Sequence, residues 1–95
     1  MNIKLILIEG PNPGEEFELT GNEYTVGRDP ANSWALDYNA VSRNHAKFTK
    51  RGNSYLLEDL GSSNGTFVNG EKISGAFLLS GGEELGFGQS VKVRF

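Results

Sequence analysis

Residues that favour turns break this chain at short intervals. Glu9-Gly10-Pro11-Asn12-Pro13-Gly14, Gly21-Asn22, Gly27-Arg28-Asp29-Pro30, Asp37-Tyr38-Asn39-Ala40, Gly52-Asn53, Asp59-Leu60-Gly61-Ser62-Ser63-Asn64-Gly65-Thr66, Asn69-Gly70 and Ser80-Gly81-Gly82 are each dominated by Gly, Pro, Asn, Asp or Ser. The runs between them are too short for an amphipathic helix, and none carries a sustained 3.6-residue period. What they do carry is alternation. Thirteen glycines in ninety-five residues suit a turn-rich all-β fold. The expectation is an all-β antiparallel β-sandwich of about ten or eleven short strands, with loops gathered at its ends.

Taken in order, Ile3 to Ile8 reads as a strand apolar on both faces, and hence central. Glu16-Phe17-Glu18-Leu19 has one wet face and is placed to form a hairpin with it. Tyr24-Thr25-Val26 is a third strand. Trp34-Ala35-Leu36 fits either a short strand or a single helical turn, and periodicity does not separate the two. In His45-Ala46-Lys47-Phe48-Thr49-Lys50, Ala46 and Phe48 are expected to face the core, and Lys47 and Thr49 the solvent. Ser54 to Glu58 follows. Asn69-Gly70 between two short runs is the strongest local hairpin signal in the chain. Glu83 to Phe87 and the alternating Val91-Lys92-Val93-Arg94-Phe95 close the domain.

The length fits a single domain spanning 1–95, with no internal repeat. A hydrophobic content of 37% and a charged content of 22% place the chain among globular rather than disordered sequences. The absence of cysteine excludes disulfides and thiolate chemistry, and a single histidine argues against a metal cluster. No metal or cofactor is implied. Apolar runs reach only four residues, as in Leu5-Ile6-Leu7-Ile8, so no membrane span is expected. Met1-Asn2-Ile3-Lys4 leads straight into a strand-like run rather than a signal peptide, so the expected setting is cytoplasmic. A net charge of −3 argues against nucleic-acid binding. Charge is uneven, with Glu15, Glu16, Glu18 and Glu23 early and Arg43, Lys47, Lys50 and Arg51 in the middle. A solvated strand face explains Lys47, Lys50 and Arg51 best.

Three polar groups fall in loops that leave strands: Gly27-Arg28, Ser42-Arg43-Asn44-His45 and Ser63-Asn64-Gly65. Taken singly they are ordinary. An isolated Arg28 is more often an ion-pair partner, Ser42 a loop hydroxyl and Asn64 a turn residue. In order along the chain, Gly27-Arg28, then Ser42-x-x-His45, then Asp59-x-Gly61-x-x-Asn64-Gly65-Thr66 resembles the forkhead-associated (FHA) family. The resemblance covers essentially the whole chain, including the second Asn-Gly at 69–70 and the closing strand. It implies a non-catalytic β-sandwich that binds phosphothreonine peptides at one end. By this resemblance Arg28 is the phosphate-binding arginine, Ser42 gives its hydroxyl to the phosphate, and Arg43 adds a further phosphate contact. Ser63 also reaches the phosphothreonine, and Asn64 holds the main chain of the peptide. Gly27, His45 and Gly65 are implied to shape the loops. The partner is then a threonine-phosphorylated protein, the product of a Ser/Thr kinase.

The residue chemistry is consistent with that role. A phosphothreonine carries roughly −1.5 to −2 charge and three acceptor oxygens, and a guanidinium offers it two parallel donors where an ammonium offers one point charge. Two other readings stand beside it. Ser42, His45 and Asp59 have the residue types of a hydrolase triad, though Ser42 lacks a G-x-S-x-G elbow. A sheet face of the sandwich could also serve phosphate-independent interaction or dimerisation. A carbohydrate site would need an aromatic platform, and Trp34 is the one tryptophan.

Overall fold

A computed structural model describes residues 3–10, 12–88 and 91–95. Eleven strands follow one another: β1 (Ile3–Glu9), β2 (Glu16–Leu19), β3 (Glu23–Gly27), β4 (Trp34–Ala35), β5 (Ala46–Arg51), β6 (Ser54–Asp59), β7 (Thr66–Val68), β8 (Glu71–Lys72), β9 (Ala76–Leu78), β10 (Glu84–Phe87) and β11 (Lys92–Arg94). They form two sheets. One has the order β2-β1-β11-β10-β7-β8 and the other β4-β3-β5-β6-β9. This is the sandwich expected from the alternating pattern.

The alternation becomes the two sides of each sheet, because successive side chains on a strand point to opposite faces. Leu5 and Leu7 of β1, Ala46 and Phe48 of β5, Tyr55 and Leu57 of β6, Leu85 and Phe87 of β10 and Val93 of β11 all face inward and are buried. Lys47 and Thr49 lie on the opposite face and are half-buried. Trp34 is also buried. Its ring stacks on Phe17 with centroids 5.4 Å apart, and its indole N–H donates to Glu15 at 2.8 Å.

Local turn chemistry sets the hairpins. Phe67 pairs with Lys72 and Val68 with Glu71, so Asn69-Gly70 forms a two-residue loop. Both have positive φ, 51° and 84°, as a type I′ turn requires. β1 and β2 pair as the expected hairpin, with Leu5 opposite Phe17.

One reading of the sequence changes, and one that it left open is decided. β1 lies between β2 and β11, yet only one of its faces is covered: Ile6 is 37% exposed and Ile8 half-buried. A two-layer sandwich covers each sheet on one side, so an apolar residue on the other side stays wet. Trp34-Ala35 is a strand rather than a helical turn, and it pairs parallel to β3, with Val26 opposite Trp34. The chain returns between these two strands through 28–33. Thr25 and Ser33 pin that return: the Thr25 N–H donates to Ser33 Oγ at 3.0 Å, and the Ser33 N–H to Thr25 Oγ1 at 3.2 Å.

Phe48 has no exposed surface and packs its ring against that of Phe87 from the facing sheet, with centroids 6.5 Å apart. Phe48→Ala is expected to lower the unfolding free energy by about 3–5 kcal/mol, the range for emptying a buried aromatic site. Urea denaturation followed by near-UV circular dichroism measures this. A loss under about 1 kcal/mol, the range of an ordinary surface change, would contradict the core placement.

Candidate functional site

Three loops meet at one end of the sandwich: 28–33 between β3 and β4, 36–45 between β4 and β5, and 60–65 between β6 and β7. Main-chain bonds lock the first two together. The Arg28 N–H donates to the Ser42 carbonyl at 2.9 Å, and the Asp29 N–H to the Arg43 carbonyl at 3.3 Å. Gly27 is needed for this approach, because a Cβ at this position would lie 2.1 Å from the Arg43 carbonyl oxygen. That distance is far inside van der Waals contact, so any side chain would force the loops apart.

Asn32 strengthens the same junction. It is buried, and its Nδ2 donates to both the Asp29 carbonyl at 2.8 Å and the Arg43 carbonyl at 2.7 Å. Sequence reasoning passed over it. Its one signal was an amide in a proline-containing loop that follows Gly27-Arg28, and such a residue usually serves its own turn.

His45 joins the second loop to the third. Its side chain is fully buried. The Ser42 main-chain N–H donates to Nδ1 at 3.0 Å, so Nδ1 carries no proton. Nε2 must then carry it, and donates to the Gly65 carbonyl at 2.8 Å. Gly65 turns with φ +88°, and its carbonyl also accepts the Gly88 N–H at 2.9 Å. Burial pushes the ring pKa below its ordinary value, against the Gly65 bond and the Asp59 charge, which pull it up.

Asp59 organises the third loop. Its carboxylate accepts the Gly61 N–H at 3.0 Å, the Ser62 N–H at 3.1 Å, the Thr66 hydroxyl at 2.7 Å and the Ser62 hydroxyl. Burial pushes its pKa up, but the bonds from Ser62, Thr66 and Gly61 outweigh it and hold the carboxyl below its ordinary value.

The residues singled out in the sequence converge here. Ser42 is half-buried, and its Oγ accepts the Ser63 N–H at 3.0 Å. The Ser42 hydroxyl proton is therefore left to donate outward. Asn64 is exposed, and its Nδ2 donates once to the Ala40 carbonyl at 3.0 Å, leaving a second N–H and Oδ1 for a ligand. Ser63 and Arg43 are exposed, and Arg28 is half-buried. The ion pairs among the described residues are Lys4–Glu16 and Lys92–Glu9, so neither Arg28 nor Arg43 has a carboxylate partner. The result is a small surface of donors and two arginines without an ion pair among the described residues.

The same bonds dismantle the triad. Nδ1 of His45 accepts from the Ser42 main chain, not its hydroxyl, and Nε2 is spent on Gly65. Asp59 is satisfied by its own loop. No imidazole nitrogen is available to act as a base.

Protonating His45 would place a second N–H at Nδ1, facing the Ser42 donor. The folded pKa is lowered, so the neutral ring contributes stability in full above the unfolded value of about 6.5, and that contribution is lost as pH falls through the folded pKa. The His45 ring signal in an NMR titration is expected to have its midpoint below 6.5 and to move together with the Ser42 and Gly65 amides. A midpoint above 6.5 would overturn the bonding assigned to the ring.

The chain is similar to proteins of known family. The FHA domain family matches residues 24–88. An oxoglutarate dehydrogenase inhibitor of Corynebacterium jeikeium is 40% identical over 85 residues, which are 90% of this chain and 58% of that protein. The chain thus spans little more than half of that relative's length. Among solved structures, the FHA domain of the CT664 protein from Chlamydia trachomatis superposes with a TM-score of 0.89 at 36% identity, covering 98% of this chain and 95% of that one. A second structure, from work on phosphothreonine-dependent FHA domain interactions, gives a TM-score of 0.86 at 30% identity, covering 100% and 97%. By its sequence match and its fold alike, this chain belongs to the FHA domain family.

Proposed function

We propose that the chain, as one module over 1–95, binds partner proteins at a phosphorylated threonine, with Arg28, Ser42, Arg43, Ser63 and Asn64 as the contacting residues. FHA domains bind such peptides without chemistry, so no turnover is involved. The observation that carries the assignment is Arg28, a half-buried residue whose side chain has no ion pair among the described residues and whose main-chain N–H is bonded to the Ser42 carbonyl at 2.9 Å. A guanidinium without an ion pair gains from an anion that brings its own acceptors, and a phosphate brings three. The Ser42 hydroxyl supplies a neutral donor beside it, and Ser63 a second hydroxyl. Arg43 adds a cation at the solvent edge. Asn64, with one amide hydrogen anchored on Ala40, offers the rest of its amide to the main chain of an extended peptide.

The setting we infer is a cytoplasmic regulatory protein, downstream of a Ser/Thr kinase that phosphorylates the partner. Similarity to an oxoglutarate dehydrogenase inhibitor supports a regulatory role rather than a catalytic one.

Calorimetric titration with a degenerate phosphothreonine peptide pool, beside phosphoserine and unphosphorylated pools, tests the reading. Binding is expected for the phosphothreonine pool. Arg28→Ala is expected to cost about 2–5 kcal/mol, or roughly 30-fold or more in affinity, with the melting transition retained. Full binding by a folded Arg28→Ala chain would reject the site. Affinity is also expected to fall below about pH 6 as the phosphate gains a proton. A phosphonate of lower pKa separates that effect from the titration of His45.

A further inference from the structure

The two sheets have four edges, formed by β2, β8, β4 and β9. Three of them are blunted in the way that protects edges from pairing. β2 exposes Glu16 and Glu18, β8 exposes Glu71 and Lys72, and β4 is two residues long with Asp37 just beyond it. β9, three residues long, is short too but carries no charge on or beside it. From Ile73 to Gly82 the chain carries neither a charge nor a proline. All three residues of β9 are exposed, with Phe77 at 40% and Leu78 at 57%.

The register shows what the free edge offers. Ala76 lies opposite Glu58, Phe77 opposite Leu57 and Leu78 opposite Leu56. The Asp59 N–H donates to the Gly75 carbonyl at 3.3 Å, and the Leu79 N–H to the Tyr55 carbonyl at 3.0 Å. In an antiparallel ladder bonded pairs alternate, so Phe77 also turns its main-chain groups toward β6. Ala76 and Leu78 therefore turn theirs outward, where no strand lies among the described residues. Leu78 shares the outer face with the half-buried Leu56, and Phe77 sits on the core side at the open rim.

We infer that β9 pairs antiparallel with β9 of a second copy about a two-fold axis at Phe77, joining the two five-stranded sheets edge to edge. A two-fold axis sets each residue against a symmetry mate, so a charged strand would confront like charges, whereas this one is neutral throughout and self-complementary. In this register Ala76 and Leu78 of one copy exchange main-chain bonds with Leu78 and Ala76 of the other. The two Phe77 residues form the closer, non-bonded pair and cover the rim of both cores. β9 begins at the loop end of the sandwich, next to Asp59. Antiparallel pairing then directs the two loop ends away from each other and leaves both open. The strand is short, so the association is weak and reversible.

Sedimentation equilibrium of the 95-residue chain over a concentration series tests this. The average mass is expected to rise with concentration above the 10.3 kDa of one chain. Leu78→Lys places two like charges beside the axis and is expected to hold the mass at that of one chain. Leu78→Pro removes the outward donor without touching the ladder to β6 and is expected to do the same. Ile6→Lys makes the same charge change on the outer face of the other sheet, and Arg28→Ala alters the loop end. Both are expected to associate like the parent. A parent mass constant at 10.3 kDa up to the solubility limit would overturn the pairing. So would undiminished association of a folded Leu78→Lys chain, or equal loss in Ile6→Lys.

Discussion

The Ser42 N–H that donates to His45 Nδ1, and the Nε2–H that passes on to the Gly65 carbonyl, tie the 36–45 loop to the 60–65 loop from inside, beneath the Ser63–Ser42 and Asn64–Ala40 bonds. One ring, 0% exposed, thereby sets where Ser42 and Asn64 stand relative to each other. Buried polar groups are expensive unless paired, and both nitrogens here are paired. Their environment therefore permits one tautomer and one ring orientation. The histidine's own main chain extends the tie, since its N–H donates to the Val26 carbonyl at 2.9 Å and its carbonyl accepts the Leu60 N–H at 2.9 Å. Position 45 thus reaches β3, just before Arg28, as well as both ends of the 60–65 loop.

Several polar groups at the loop end have a first partner inside the protein, with capacity left over. Ser42 accepts from Ser63, Asn64 donates once to Ala40, and the Arg43 carbonyl is held by Asn32 and Asp29. Side chains anchored this way, as Ser42 and Asn64 are, lose little entropy if a ligand engages them, because their rotamers are already set. Arg28 and Arg43 are in no ion pair among the described residues, so in the binding mode proposed above an anionic ligand would displace water rather than an existing ion pair.

Much of this was legible in the residues. Alternation in 46–50 and 91–95, the type I′ hairpin at Asn69-Gly70 and the β1–β2 hairpin all follow from local pattern and turn chemistry, and local pattern is what a sequence displays. The motif residues Gly27, Arg28, Ser42, His45, Asn64 and Gly65 could be picked out because their order and spacing matched a family, not because any of them is informative alone. What escaped notice depends on long-range packing. The wet face of β1 depends on which side the second sheet covers. The parallel β3–β4 pair depends on the return path of 28–33. β9 was passed over because Ala76-Phe77-Leu78 has no period and reads like a buried run, while in fact it forms an edge. Asn32 acts on carbonyls at positions 29 and 43, and the second of these lies on another loop.

The residues that look most chemical are also the ones most fully committed to structure. Ser42, His45 and Asp59 have the types of a hydrolytic triad, but a base needs a nitrogen with a free lone pair facing its nucleophile. In His45 the one bare nitrogen already accepts a main-chain N–H, and the Asp59 carboxylate is spent on Gly61, Ser62 and Thr66. Releasing either group for catalysis would unfasten the loops that give the site its shape. The same bonding that makes the surface rigid enough to bind therefore keeps it from reacting. In this chain recognition and catalysis are alternatives set by where a few hydrogen bonds go, not by which residues are present.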